Sequence, residues 1–421
     1  MDAQEIEAHP TVEQFNGLAE DFVSACASGD SEALQRIKER FQLGRVPALD
    51  ELRKHVQQRL RKLSGSEIGS DALSLSDARL LVADAYAFKN WERLLEFIEA
   101  IDREHSPVAR FEAAVDAVIT GDVKTLESLL REKPELIRAR SMREHGATLL
   151  HYVAANGVED YRQKTPKNVI EVAKILLKAG AEVDADLTQK HIGSTTLGLV
   201  ATSIHPAHAG VQIELMETLL EAGAALDGVR GGWSFVNGCL ANGRPEAAQF
   251  LARRGALLDL EGAAGVGRLD LVQAFFDEDG SLKPIASKEQ MESGFMWACE
   301  YGHTRVAEFL LDKGLDIATN RGMTGLHWAM VGGHLDTIKL LLERKAPLEA
   351  ENNFGGTVLG CAIWAVGNSD AVYRWPDSDT DWLTIVRMLI DAGAIVYESD
   401  CDFPTGNEPV DELLRQHGMK G

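Results

Sequence analysis

Apolar positions along this chain recur as pairs of short helical stripes with glycines between the two members of each pair. The clearest pair begins at Met323. Leu326, Ala329 and Met330 fall on one face of a first predicted helix, and Leu335, Ile338, Leu340, Leu341 and Leu342 form the stripe of a second. This spacing predicts a helix-turn-helix hairpin. The same pattern starts at Phe295, and again at Ala147 with its second helix from Val169; looser copies start at Ser194, Ser234 and Glu261.

The glycines that end each first helix turn this rhythm into a period. Gly121, Gly157, Gly210, Gly243, Gly267, Gly302, Gly333 and Gly367 lie 36, 53, 33, 24, 35, 31 and 34 residues apart. Five of these seven gaps lie close to a period of about 33 residues, which is the signature of stacked two-helix repeats. The motif residues identify the type. Thr148-Leu-Leu-His151 and Thr324-Gly-Leu-His327 match the Thr-Pro-Leu-His element of the ankyrin repeat. Gly302-His303 and Gly333-His334 match its Gly-His turn, and Ala179-Gly-Ala181, Ala222-Gly-Ala224 and Ala392-Gly-Ala394 its Gly-Ala ending. The chain thus resembles the ankyrin repeat family from about residue 108 to 418. It departs from the family in that no copy keeps the proline of that element, and the fourth and fifth copies lose its histidine as well. The resemblance implies an all-α solenoid of about eight hairpins with a helical N-terminal region over 1–107 and an array over 108–421.

The irregular gaps locate insertions. Extra residues fall at 161–168 and 369–381, and a 24-residue gap means that the loop, or finger, between the fourth and fifth copies is nearly absent. Insertions in a repeat array map to loops, and loops on a rigid scaffold often carry recognition. EPVDELLRQHG at the C-terminal end reads as a capping helix. Ahead of the array, Ala19 to Phe41 has the two-helix rhythm of a half-formed repeat with Ser24 to Gly29 as its middle. Pro47 opens a further helix, and an amphipathic pair surrounds Phe88 and Trp91. The last stretch, with its Ala-Tyr-x-Phe-x-x-Trp pattern, is similar to a helical segment preceding ankyrin arrays in many bacterial proteins.

Composition narrows the function classes. Hydrophobic residues make up 45% of the 421, enough for a core, while 38 Gly and 12 Pro exclude collagen-like and Pro-rich chains. The balance of 43 basic and 65 acidic residues gives a charge of -22, so a phosphate backbone is repelled overall and nucleic acid is not an expected partner. Five cysteines without a CxxC pair fit a reducing compartment. The first residues lack a basic start followed by an apolar stretch, and no window reaches the length of a membrane span. A cytoplasmic protein without membrane contact is expected.

Candidate chemistry is sparse. The family resemblance places His151 and His327 where such a residue bonds the backbone of the neighbouring finger, and His303 and His334 at the turn between helices. His191, His205 and His208 are the only cluster to test for metal, and their spacing matches no zinc pattern. There is no G-x-S-x-G element and no phosphate-binding loop. The GAAGVG run at 262–267 falls on a first helix, away from any βαβ context. Asp277, Glu278, Asp279, Asp379 and Asp381 read as solvated charges, and the basic run Arg53, Lys54, Arg59, Arg61 and Lys62 as a helix face or an internal partner for acidic groups. No catalytic residue, metal ligand or cofactor is assigned.

Aromatic residues carry the sharper expectation. Tyr152, Trp297 and Trp328 occupy one recurring position and are expected to stack repeat on repeat. Tyr301 and Trp364 fall at the variable end of first helices, Trp233 at a finger, and Tyr373 and Trp375 inside the second insertion. Such side chains anchor interfaces because they bury much area at little entropic cost. With finger residues Lys190, His191, Arg230, Arg321, Asn353 and Phe354 they form the candidate contacts. The expected function is a non-catalytic scaffold that holds a protein partner in a concave groove lined by fingers and first helices, and the charge of -22 would assist association with a basic partner. Two alternatives stay open: a small-ligand or metal-dependent enzyme with its site at the insertions, and an acidic inhibitor or immunity-type protein.

Overall fold

A computed structural model describes the chain except residues 1–4, 7–9, 42, 44, 65–72, 189–193, 229–233, 369–379, 399, 401 and 421. Its described secondary structure is helical, broken only by isolated bridges such as Asn320 to Thr324. The chain divides into two compact units, Met1–Gly231 and Gly232–Gly421.

The first unit begins with α1 (Val12–Ser28), α2 (Ser31–Arg40), α3 (Leu49–Ser64), α4 (Leu75–Ala85) and α5 (Trp91–Ile101). Each of α1, α2, α4 and α5 starts at a polar residue, Thr11, Asp30, Ser74 and Asn90, whose side chain accepts from a free N–H of the first turn. Phe15, Phe22, Ile37, Leu60, Tyr86, Phe88 and Phe97 are buried between these helices. Two members of the basic run on α3, Arg53 and Arg59, are spent internally, while Lys54, Arg61 and Lys62 are exposed. Arg53 donates to the carbonyls of Cys26 and Ala27 at the C-terminal end of α1, and Arg59 pairs with Asp84 at 2.6 Å.

Hairpins follow. α6 (Pro107–Thr120) pairs with α7 (Val123–Glu132), after which the chain makes 3-10 turns at Pro134–Arg138, Leu149–Ala154 and Asp160–Arg162. The 149–154 turn pairs with α8 (Val169–Lys178). Beyond it, α9 (Thr196–Thr202) and the short α10 (Ile204–His208) lead to α11 (Gln212–Glu221). The pattern at Ala147 predicted a helix, but 149–154 is a 3-10 turn. Ala155 adopts the left-handed conformation at φ 47° and its N–H bonds to the carbonyl of Tyr152, which ends the element after one tight stretch.

In the second unit the hairpins are α12 (Phe235–Ala241) with α13 (Pro245–Arg253), α14 (Leu260–Gly265) with α15 (Leu269–Gln273), α16 (Lys288–Glu300) with α17 (Thr304–Asp312), α18 (Gly325–Val331) with α19 (Leu335–Glu343), and α20 (Val358–Gly367) with α21 (Trp382–Asp391). First helices α12, α14, α16, α18 and α20 pack in sequence as one layer, and α15, α17, α19 and α21 as a second. Phe295, Leu310, Ile338, Leu341 and Leu389 fill the space between layers, each fully buried and contributing about 1.5–3 kcal/mol relative to exposure. α22 (Glu408–Gln416) buries Val410, Leu413 and Leu414 against α21. The GAAGVG run is packing chemistry. A Cβ on Gly265 would lie 2.4 Å from Leu240 and one on Gly294 would lie 2.9 Å from Ala264, so these glycines let α12, α14 and α16 approach closely.

Candidate interaction surface

Two of the first elements are aimed by a threonine-histidine box. Thr324 caps α18, the Nδ1 atom of His327 accepts the Thr324 N–H, and the Nε2 atom of His327 lies 3.2 Å from the carbonyl of Gly356 in the next finger. Thr148 and His151 repeat the box. Burial pushes the His151 imidazole down to about 4 and lowers His327, so both rings are neutral near pH 7. His303 and His334 reach back to the preceding first helix, with Nε2 at 3.0 Å from the Gly265 carbonyl and 2.9 Å from the Glu300 carbonyl. Trp297 packs over Gly265, and Tyr152 is fully buried, in keeping with their stacking position.

These bonds hold the fingers of the second unit in register. The N–H of Asn353 donates to the Gly322 carbonyl at 2.9 Å, and the Asn320 amide donates to the Glu351 carbonyl at 2.9 Å. The Asn352 side chain accepts from the N–H groups of Phe354 and Gly356, which shapes the tip. Phe354 stands on this tip 94% exposed. Arg321, at the equivalent position one finger earlier, pairs with Glu292 of α16 at 3.2 Å.

Beyond Arg321 the surface is acidic. Asn237 of α12 donates to Asp259 at 2.8 Å and to Glu261 at 3.0 Å, and Gln290 donates to Asp259 at 3.3 Å. Burial, then the neighbouring Asp259 charge, raises the Glu261 carboxyl above its ordinary range, despite the opposing influence of Ser293, Arg321 and Asn237. Glu289, in the first turn of α16, and Glu351, in the finger of Phe354, are exposed.

Of the sequence-derived contacts, the structure brings Arg321, Asn353 and Phe354 together. Tyr301 is half-buried, and its hydroxyl donates to the Leu240 carbonyl at 2.5 Å, which ties α16 to α12. Trp364 is half-buried on α20. Trp233, Tyr373, Trp375, Lys190, His191 and Arg230 lie outside the described residues. Asn237, Asp259, Glu261 and Glu292 escaped sequence reasoning, although the position of the first two helix starts ahead of the GAAGVG run was a usable signal.

A second polar assembly, inside the first unit, was also missed. The 161–168 insertion turns inward at Arg162, whose guanidinium meets Glu112 of α6 at 2.6 Å and Asp116 at 3.1 Å. Glu159 pairs with Arg143 and lies 3.4 Å from His145. Arg143 donates to the Tyr86 carbonyl at 2.8 Å and to the Tyr161 hydroxyl at 3.0 Å, with the rings of Phe88 and Phe97 each 5.2 Å away. Burial alone would push Glu159 up, yet Arg143, His145 and Arg162 outweigh it and hold the carboxyl well below the usual range. The network joins the finger and turns of the second repeat to α6 of the first and to the end of α4.

No group of three or more His, Cys, Asp or Glu residues suited to a metal ion occurs among the described residues. The thiols are raised, not activated: burial pushes Cys239 up to about 12 and Cys361 up to about 11. No described helix is long and apolar enough to cross a membrane.

Residues 260–353 and 295–373 match the sequence model described as ankyrin repeats (3 copies). The chain is similar to inversin of Gallus gallus, 44% identical over 62 residues, covering 14% of this chain and 6% of that protein. It is 26% identical over 236 residues to the transient receptor potential cation channel subfamily A member 1 of Homo sapiens, covering 55% of this chain and 18% of the channel. Ankyrin repeat and SAM domain-containing protein 6 of Danio rerio is 25% identical over 207 residues, covering 42% of this chain and 28% of that protein. The matched stretches therefore span well under a third of each relative.

Proposed function

This chain is an ankyrin repeat protein, and on that premise we propose that it acts as a non-catalytic scaffold holding a protein partner against its fingers and first-helix faces. Ankyrin repeats are generally protein-protein interaction modules, and a stacked array gives them a rigid surface. The observation that carries the reading is the finger tip at 352–356, fixed by its own asparagine and by the adjacent finger, with Phe354 turned to solvent. An aromatic ring held rigid and exposed is an interface anchor in waiting. Free thiols at Cys26, Cys239, Cys299 and Cys361 support a reducing, cytoplasmic setting for it.

The test is capture from a native lysate by the full chain, with mass spectrometry, beside a variant carrying Arg321→Ala, Phe354→Ala and Trp364→Ala. A protein retained by the native chain and lost by the variant supports the scaffold. Retention of nothing above background, at low salt as well as high, sinks it.

A further inference from the structure

We propose that the strip from the Phe354 finger to the start of α14 receives an extended basic segment of a partner protein. The stem of one arginine or lysine lies on the Phe354 ring, and further cations meet Glu351, Glu289 and Glu261. This rests on the scaffold reading and adds to it the chemistry of the partner.

Three observations point the same way. The strip is continuous within the second unit: Asn353 is bonded to Gly322, Arg321 next to it reaches Glu292, and its charge also acts on Glu261 and Glu289. Its charge is one-sided. The cations along it, Arg321 and Lys288, both bridge to Glu292, while Asp259, Glu261, Glu289 and Glu351 make no ion pair among the described residues. Two of these carboxylates, Asp259 and Glu261, share one asparagine amide, so like charges crowd there, and an added cation would relieve them. Finally, Phe354 is 94% exposed beside Glu351, and an exposed ring flanked by carboxylate suits a guanidinium or ammonium stem better than an apolar or anionic group. The first unit already shows the preference in folded form, where Arg143 lies over Phe88 and Phe97 while paired with Glu159.

The probe is a fluorescein-labelled peptide of alternating arginine and leucine, with an alternating glutamate and leucine peptide as its mirror, read by anisotropy on the full chain. The arginine peptide should bind, more weakly as salt rises, and the glutamate peptide should not. Phe354→Ala should weaken binding about tenfold, and the Glu261→Gln/Glu351→Gln pair several-fold. Asp277→Asn/Glu278→Gln removes the same charge from the exposed turn at 276–282 and should leave affinity unchanged. Equal weakening by both charge pairs would mean a general attraction to an acidic chain and would overturn the strip. So would binding of both peptides or of neither, or a dimer in sedimentation that Phe354→Ala dissolves, which would seat a second copy there instead. If a lysate partner is retained regardless of Phe354, Glu261 and Glu351, the scaffold stands and the strip falls.

Discussion

The first two repeats of the Met1–Gly231 unit and the repeats around α16 to α19 follow the same hairpin plan but are fastened by opposite means. Around α16 to α19 a neutral imidazole reaches a carbonyl of the preceding helix, His303 to Gly265 and His334 to Glu300, over a mainly apolar interior without a buried ion pair among the described residues. Between the first two repeats the fastening is ionic and buried: Arg143, Glu159, Arg162 and Glu112 meet with almost no solvent contact. Neutral bonds recur because each neighbour offers the same carbonyl. The ionic network occurs where the residues around the 3-10 turns meet both α6 and the chain just after α4, and it needs partners that only this junction supplies. A repeat array can therefore be regular in packing and singular at its join.

The largest break in that comparison is Glu159→Gln. It leaves Arg143 and Arg162 buried with one carboxylate fewer, which costs about 3–5 kcal/mol. Hydrogen exchange should show α6 and α8 losing protection while α17 and α19 keep theirs. The double replacement Arg143→Met/Glu159→Leu removes charge from both sides and should recover much of the loss. If α17 and α19 loosen equally in Glu159→Gln, the ionic network does not belong to the first unit alone.

Acid sharpens the contrast. His151 is held neutral with its value at about 4 against 6.5 unfolded, so its contribution of about 3 kcal/mol is complete above 6.5 and lost as pH falls toward 4. His303, His327 and His334 are lowered in the same sense, so the second unit weakens over that window too. The first unit adds the buried Glu159, whose depressed value gives stability present above about 4.5 and lost as pH falls further, whereas the lowered carboxylates of the second unit, Asp270, Asp279, Glu289 and Asp381, are exposed and contribute less. Pepsin digestion across falling pH should therefore cut Met1–Gly231 first. Simultaneous cutting of the two units would remove the distinction.

Smaller still is the loss of one neutral fastening. His334→Ala leaves the Glu300 carbonyl without that donor and should cost about 1–3 kcal/mol, seen as faster exchange in α16 and α18. Gly302→Ala should act on the same contact, because Gly302 sits at φ 72° and a Cβ there would lie 2.5 Å from the His334 ring. If Gly302→Ala is harmless, the histidine fastening is looser than the geometry shows.

The legibility of the chain follows the same division. The hairpins were readable because a glycine and an apolar stripe return at each copy and a histidine at several, and the Thr324 box and the His327 bond to the next finger stand where the repeat register puts them. The finger positions of Arg321, Asn353 and Phe354 were readable for the same reason. The ionic network was not. Glu112 and Arg162 stand 50 residues apart, and Arg162 lies in an insertion that sequence reasoning sends to the surface. Their convergence depends on tertiary placement, which no local period encodes. Tyr301 was half readable: its register is correct for an exposed side chain, but its hydroxyl finds Leu240 two hairpins back.

The smallest expected effect on stability tests whether an aromatic ring beside a carboxylate serves folding or recognition. Phe354→Ala removes a ring that touches little of its own chain, so the unfolding midpoint should move by no more than about 0.5 kcal/mol. Phe88→Ala, at the other end of the comparison, removes a buried ring packed against Phe97 and the Arg143 guanidinium and should cost about 3–5 kcal/mol. Denaturant melts of the two variants decide the matter. A ring that stabilised the fold while fully exposed would have to be covered in solution, by this chain or by a second copy. A ring whose loss the fold does not register, on a tip held by four hydrogen bonds to Asn320, Asn352 and Asn353, is ordered for a surface other than its own.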